Sequence, residues 1–173
     1  MRRVDWRGLP SFNELTERQA ISTLYECCSS SIWALRVSGA RPFSDDEALL
    51  SYADLILAEL TEDDLDEALS GHPRIGDRAD NASSQREQSG VAGADPGVLA
   101  ELRELNRAYD ERFGHVYLVF ANGRPADELL AILKERIRND PETERRVMRM
   151  ELGKINRSRL ERMLTPAVEY VDD

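Results

Sequence analysis

Apolar residues along this chain recur three and four positions apart, and strict apolar-polar alternation over a strand length is almost absent. A chain patterned in this way buries its apolar atoms by laying helical stripes against one another. The expected fold is therefore all-α, a single compact multi-helix domain over residues 1–173. A domain of that length removes roughly 70% of its unfolded surface from water, so it requires no disulfide or metal staple.

Start and stop signals divide the pattern. A first helix opens at Thr16, where Gln19 completes a capping box, and it places Ile21, Leu24 and Cys28 on one face. Ser30 to Val37 reads as a short helix containing Trp33. After the Arg41-Pro42-Phe43 break, Ser44-Asp45-Asp46-Glu47 forms another capping box ahead of the stripe Leu49, Ala53, Ile56 and Leu60. Thr61 and Asp64 repeat the signature for a short helix ending near Ser70. The segment from Gly71 to Asn81 is rich in Gly, Pro, Asp and Asn and reads as a loop, with a helix resuming at about Ala82 or Ser83. Pro96 to Phe113 is a helix with Leu99, Leu102, Asn106, Tyr109 and Phe113 at helical spacing. Gly114 to Asn122 is the one apolar run of extended character, either a short extended segment or a strained helix link, and Asn122-Gly123 closes it as a turn. Pro125 to Arg138 and Pro141 to Leu164 are the last helices, with Leu152, Ile155, Leu160 and Leu164 facing inward.

Charge and cysteine usage narrow the function classes. The formal net charge is −10, and the basic residues are interleaved with acids, which argues against nucleic acid as a partner. Cys27 and Cys28 are adjacent on one expected helix, where they cannot easily bond to each other or share a tetrahedral metal; they read as small core residues in a reducing compartment. Met1-Arg2-Arg3 is followed by no apolar stretch suited to a signal peptide or twin-arginine export, no membrane span is visible, and the C-terminus is not a peroxisomal tripeptide. A soluble, cytoplasmic protein without a membrane partner is expected.

Chemistry concentrates around Gly71-His72-Pro73-Arg74-Ile75-Gly76 and the Ser84-Gln85-Arg86-Glu87-Gln88 run that follows. Pro73 biases His72 toward extended geometry, so the imidazole sits at a rigid corner. On a helix beginning near Ser83, the side chains of Ser84, Glu87 and Gln88 share a face while Arg86 points elsewhere. An imidazole above that face has a carboxylate, an amide and a hydroxyl beside it, a set that suits a flat, nitrogen-rich ligand. The plainer alternative is that His72 caps a helix end, Glu87 lies on a solvated surface and Gln88 is incidental. Arg136 and Asn139 pose the same choice: a guanidinium fork for a carboxylate or carbonyl-rich ring, or a cation and an Asn ending a helix. Arg138 is not separable from Arg136 on this ground. In Phe113-Gly114-His115-Val116, the Gly either admits a ligand close to backbone amides or stops a helix. There is no Gly-rich phosphate loop, no nucleophile elbow, and no histidine pair at metal-ligand spacing, so no cofactor or metal site is indicated.

Taken together, His72-Pro73-Arg74-Ile75-Gly76, Ser84 with Glu87-Gln88, Leu105-Asn106 with Tyr109, Phe113-Gly114, and Arg136 with Asn139 resemble the 2-oxo-4-hydroxy-4-carboxy-5-ureidoimidazoline (OHCU) decarboxylase family of uric acid degradation. The similarity extends to Cys27-Cys28, Trp33, Arg41-Pro42-Phe43, Lys154-Ile155 and Arg159-Leu160, and so covers nearly the whole chain in order. The resemblance implies an all-α fold, a homodimer, and conversion of OHCU to (S)-allantoin and CO2 without metal or organic cofactor. It also implies that His72 is catalytic, with Glu87 its acid-base or hydrogen-bonding partner. Pro73, Ser84, Gln88, Gly114, His115, Val116, Tyr117 and Arg136 are then the expected substrate contacts. One departure stands out: His115 and Val116 occupy positions where the family more often has an aromatic residue and then proline or a small apolar residue. Two other readings compete with this one, a non-catalytic helical module that binds a ureide or a partner protein, and a decarboxylase or hydrolase of a related ureido substrate.

Overall fold

The structure is a computed structural model that describes residues 8–77 and 82–165, and every regular element among them is a helix. The readings made on Met1-Arg2-Arg3, on the end of the Gly71 to Asn81 loop and on the C-terminal tripeptide lie outside the described residues. Chain contacts gather in two compact units, residues 1–65 with 156–173 and residues 66–155.

The first unit opens with a helix the apolar pattern did not announce, α1 (Gly8–Glu14), which buries Leu9 and Phe12 within seven residues. It is too short for a periodic signal. The Thr16 capping box forms as expected at the head of α2 (Glu17–Cys27), with the Gln19 amide donating to Thr16 Oγ1 at 3.3 Å and Gln19 Oε1 accepting from the Thr16 amide at 3.1 Å. Ala20, Leu24 and Cys27 make its buried stripe, whereas Ile21 is only half-buried and Cys28 lies just past the helix in extended conformation. Both cysteines are buried and neither is in a disulfide, and burial pushes the Cys27 thiol up to about 12, which keeps it protonated and inert at neutral pH. Ser30 caps α3 (Ser31–Gly39), whose Trp33 is fully buried and donates its indole N–H to the Ala53 carbonyl at 3.0 Å. The cap of α4 (Asp46–Glu59) is Asp45, one residue later than the Ser44 box suggested. A carboxylate accepts the Ala48 amide at 2.7 Å, and Glu47, the expected reciprocal partner, turns instead to Ser51 and Arg157. Leu49, Ala53 and Ile56 are buried as the stripe required.

The second unit holds the residues of interest. Helix α5 (Glu62–Ser70) crosses into it, followed by the His72 loop, α6 (Ala82–Glu87), α7 (Pro96–Phe113), α8 (Ala126–Arg136) and most of α9 (Pro141–Leu164). Asp95 caps α7 by accepting the Gly97 and Val98 amides at 3.0 and 3.2 Å, and Gly114 ends it with φ +73°, a left-handed conformation that costs a glycine no Cβ clash. Helix α8 stops two residues before the expected Arg138. The core is built from Leu102 and Tyr109 of α7, Leu129 and Leu133 of α8, Ile75 of the loop, and Tyr117, Val119 and Ala121 of the run after α7.

That run forms neither helix nor strand. Its polar backbone atoms find side chains: Arg136 donates to the Leu118 carbonyl at 2.5 Å, and Glu151 accepts from the Phe120 amide at 3.3 Å. Asn122 (φ 46°) and Gly123 (φ 74°) then turn the chain, and the Gly123 amide donates to the Glu87 carbonyl at 2.9 Å. At this point α6 and the turn meet through glycine. A Cβ on Gly90 would stand 2.3 Å from the carbonyl oxygens of both Gly123 and Arg124. Backbone must shift to admit it, so Gly90→Ala is expected to destabilise the protein by about 1–3 kcal/mol. A denaturation midpoint equal to that of the unaltered chain would show that the approach is looser than drawn.

Candidate active site

His72 is held by the end of α5. Its amide donates to the Leu69 carbonyl at 3.0 Å, and its ring Nδ1 lies 2.9 Å from the Ala68 carbonyl, so two of the last-turn carbonyls of a nine-residue helix are satisfied by one residue. A carbonyl oxygen only accepts, so Nδ1 carries the hydrogen and Nε2 is the basic nitrogen of the neutral ring. The side chain is buried, 8% exposed. The position that looked in sequence like a helix-end histidine is one, and the same bonds fix the tautomer that acid-base chemistry needs.

The loop carrying His72 is fastened from three sides. Arg74 pairs with Asp110 of α7 through both Nε, at 2.8 Å, and Nη2. Asn106 of α7 donates its side-chain amide to the Ile75 carbonyl at 3.0 Å. Gln88, just past the end of α6, accepts the Gly76 amide on Oε1 at 3.2 Å and donates from Nε2 to the Arg74 carbonyl at 3.5 Å. Ser84 and Glu87 are buried on α6, and the Gln88 amide continues the helical bonding by donating to the Ser84 carbonyl at 3.0 Å.

A cavity of about 650 Å³ opens at the histidine, lined among the described residues by Asp66, Leu69 and Ser70 of α5, by His72, Pro73, Arg74 and Asp77 of the loop, and by Gly114, His115 and Val116 after α7. It brings together five of the positions singled out in the sequence: His72, Pro73, Gly114, His115 and Val116. Ser84, Glu87, Gln88, Tyr117 and Arg136 are not among its described lining residues. Asp66, Leu69, Ser70 and Asp77 were missed. Leu69 precedes His72 by three positions, so its helical turn alone brings it there; nothing in the sequence distinguishes Asp66 from any other acid on α5.

The opposite wall of the cavity is braced from behind. The His115 ring is stacked on Phe113 (centroids 6.0 Å apart, 26° between planes) and meets Tyr109 edge-on at 5.5 Å and 75°, with Nδ1 3.2 Å from the Val116 carbonyl. Tyr109 is fully buried and donates its hydroxyl to Glu144 Oε1 at 2.5 Å. The same carboxylate oxygen receives Arg136 Nε at 2.8 Å and Nη2 at 2.5 Å, and Glu144 Oε2 accepts from Asn139 at 3.0 Å. Burial, and then the hydrogen bond to Glu144, raise the Tyr109 phenol well above its ordinary value. Burial alone would lower Arg136, but the Glu144 hydrogen bonds and charge reverse that, so the guanidinium stays protonated. Its carbon also lies 5.0 Å over the Tyr117 ring, and Tyr117 donates to the Leu129 carbonyl at 2.9 Å. Arg136 is thus a buried tie between α8, α9 and the Leu118 carbonyl. Sequence spacing did not show Glu144, because it lies eight residues on, across the break between two helices.

Among the described residues no group of three His, Cys, Asp or Glu side chains is placed to hold a metal ion, and no helix is long and apolar enough to cross a membrane.

Known proteins are similar to this chain in sequence and in fold. A family model described as OHCU decarboxylase matches residues 13–161. A uric acid degradation bifunctional protein of Arabidopsis thaliana is 30% identical over 155 residues, covering 85% of this chain and 48% of that protein, so the chain spans about half its length. A 2-oxo-4-hydroxy-4-carboxy-5-ureidoimidazoline decarboxylase of Amia calva is 29% identical over 165 residues, covering 91% of this chain and 93% of that protein. A crystal structure of OHCU decarboxylase obtained in the presence of (S)-allantoin superposes with a TM-score of 0.72 at 30% identity, covering 81% of this chain and 95% of the other.

Proposed function

Because the chain belongs to the OHCU decarboxylase family, we propose that it decarboxylates OHCU to (S)-allantoin and CO2, with the cavity at His72 as its active site. The observation that carries this reading is the His72 ring, which is held through Nδ1 by the Ala68 carbonyl and lines a cavity of about 650 Å³, a size that suits one small substrate.

The chemistry asks for little else. The carbon that loses CO2 bears a hydroxyl and adjoins a ring C=N, so the bond pair released by C–C cleavage moves into the imine and the imine nitrogen takes up a proton. The hydroxyl proton passes to His72 Nε2 as the enol becomes the carbonyl of the product, and the ureido-bearing carbon gains a proton. One proton is consumed for each carboxylate lost as CO2. His72 serves as the base at the hydroxyl. Glu87 is assigned to the ureido nitrogens or to the orientation of His72, and Ser84 is assigned to substrate binding. Pro73, Gly114, His115 and Val116 shape the pocket. Gln88 and Arg136 support the ring through the backbone they hold, Gln88 at Arg74 to Gly76 and Arg136 at Leu118 beside Tyr117. A homodimer and a cytoplasmic location belong to the same proposal, on the resemblance alone.

The test is turnover. Purified protein mixed with freshly generated OHCU is expected to raise the circular dichroism of (S)-allantoin far faster than spontaneous decay does. A rate equal to the protein-free control would leave the ureide-binding module as the better reading.

A further inference from the structure

We infer that Arg74 recognises the carboxylate of OHCU as the substrate enters the cavity, and so makes the site favour the anionic substrate over its neutral product. The inference rests on the reading of the cavity as an OHCU decarboxylase site and adds to it a residue that selects what the site holds.

OHCU carries a carboxylate that is ionised at neutral pH, and (S)-allantoin, formed by losing it as CO2, carries none. A site that discriminates between the two must respond to that charge. Asp66 and Asp77 line the cavity and repel an anion, and Arg74 is the only lysine or arginine among its described lining residues. Asp66 is paired at 2.7 Å with Arg145, which is not among them. An anion entering here meets one fixed cation, two positions along the chain from His72.

The Arg74 side chain is oriented for this contact. Asp110 Oδ2 accepts from its Nε, at 2.8 Å, and from its Nη2, so one edge of the planar fork is gripped and its direction is set. No described residue accepts from Nη1, and the side chain is half exposed, so donors remain open where solvent reaches the cavity. The backbone beneath is held as well, because Gln88 donates to the Arg74 carbonyl and Asn106 to that of Ile75. Asp110 and the nearby charge of Asp77 offset part of the guanidinium's pull on a carboxylate, which is therefore modest. A modest pull suits the reaction. A carboxylate held tightly throughout C–C cleavage would stabilise the starting anion more than the transition state, in which that charge is being lost. Recognition at entry lowers KM and leaves kcat nearly unchanged, and once CO2 has gone Arg74 has no charge left to hold.

The discriminating variant is Arg74→Gln, assayed by consumption of freshly generated OHCU with and without added (S)-allantoin as a competing ligand. KM for OHCU is expected to rise about tenfold, with kcat within about threefold of the unaltered chain and the inhibition constant of (S)-allantoin within about twofold. Arg74→Met is expected to behave in the same way and covers the case in which the Gln variant does not fold. Arg74→Lys, which keeps the charge, is expected to bring KM back to within about threefold of the unaltered value. Asp110→Asn loosens the loop but keeps the guanidinium, so the ratio of KM for OHCU to the inhibition constant of (S)-allantoin should hold there. A KM within twofold of the unaltered chain in the Gln and Met variants overturns the assignment. So does a Lys variant no better than they are, or a fall in kcat as large as the rise in KM; either result reduces Arg74 to a support of the His72 loop. If the unaltered chain itself consumes no OHCU, the reading of the cavity fails first and the role of Arg74 falls with it, a result seen before any variant is made.

Discussion

His72→Ala is expected to slow (S)-allantoin formation by roughly 10²- to 10⁴-fold, the usual weight of a positioned acid-base group. Three observations set the size of that effect. The ring is buried, its tautomer is fixed by the Ala68 carbonyl, and its loop is tied down by Arg74–Asp110, Asn106–Ile75 and Gln88. Such a group is preorganised, so its loss is not made good by water drifting into the space. The helix end loses a side-chain bond to one carbonyl, at a cost near 1 kcal/mol, and the buried ring loses its packing, so the melting temperature is measured beside the rate. Activity within a few-fold of the unaltered chain, in protein that melts normally, would remove His72 from the mechanism and transfer the base to another group in the cavity.

Glu144→Ala is the substitution expected to cost most in stability, about 3–5 kcal/mol, or on the order of 10 °C in melting temperature. The pair it breaks is almost wholly buried, with Arg136 7% and Glu144 0% exposed in their side chains. Removing the carboxylate leaves a guanidinium with no counter-charge, a phenol with no acceptor and Asn139 short of a partner. The sign of the comparison with a double variant is the sharper measurement. Replacing Arg136 and Glu144 together by leucine removes the stranded charge, so the double variant should be more stable than Glu144→Ala alone, although it still loses the bond to Leu118. Equal melting temperatures for Glu144→Ala and the unaltered protein would mean that solvent reaches the guanidinium after all.

Helices long enough for several turns were legible because their apolar periodicity and caps act within the segment: α7 begins and ends where Pro96 and Phe113 placed it, and α9 spans Pro141 to Leu164. What escaped was set by short range or by distance. Helix α1 has too few residues to show a period, and the cap of α4 moved from Ser44 to Asp45 because either side chain can accept the amide of the first turn. The loop that carries His72 could be recognised, but the Ala68 carbonyl that fixes its ring could not, since backbone atoms leave no trace in residue identity. Arg136 was visible as a notable cation. Its partner Glu144 was one acid among many in an acidic chain, and Tyr109 was visible as a helically spaced residue of α7, but not its hydroxyl bond to Glu144.

The run from Tyr117 to Ala121 resembles a strand whose neighbouring strands have been replaced by side chains, Arg136 at the Leu118 carbonyl and Glu151 at the Phe120 amide. A true strand can slide past its neighbour by two residues and find an equivalent set of partners, because one backbone is much like the next. This run cannot. Each tether ends on one particular atom, and a slip of two residues would offer Arg136 the carbonyl of a different residue while the buried Tyr117 left its place over the guanidinium. The run that follows the cavity wall is thereby held in register by charge rather than by pairing, without depending on a neighbouring strand.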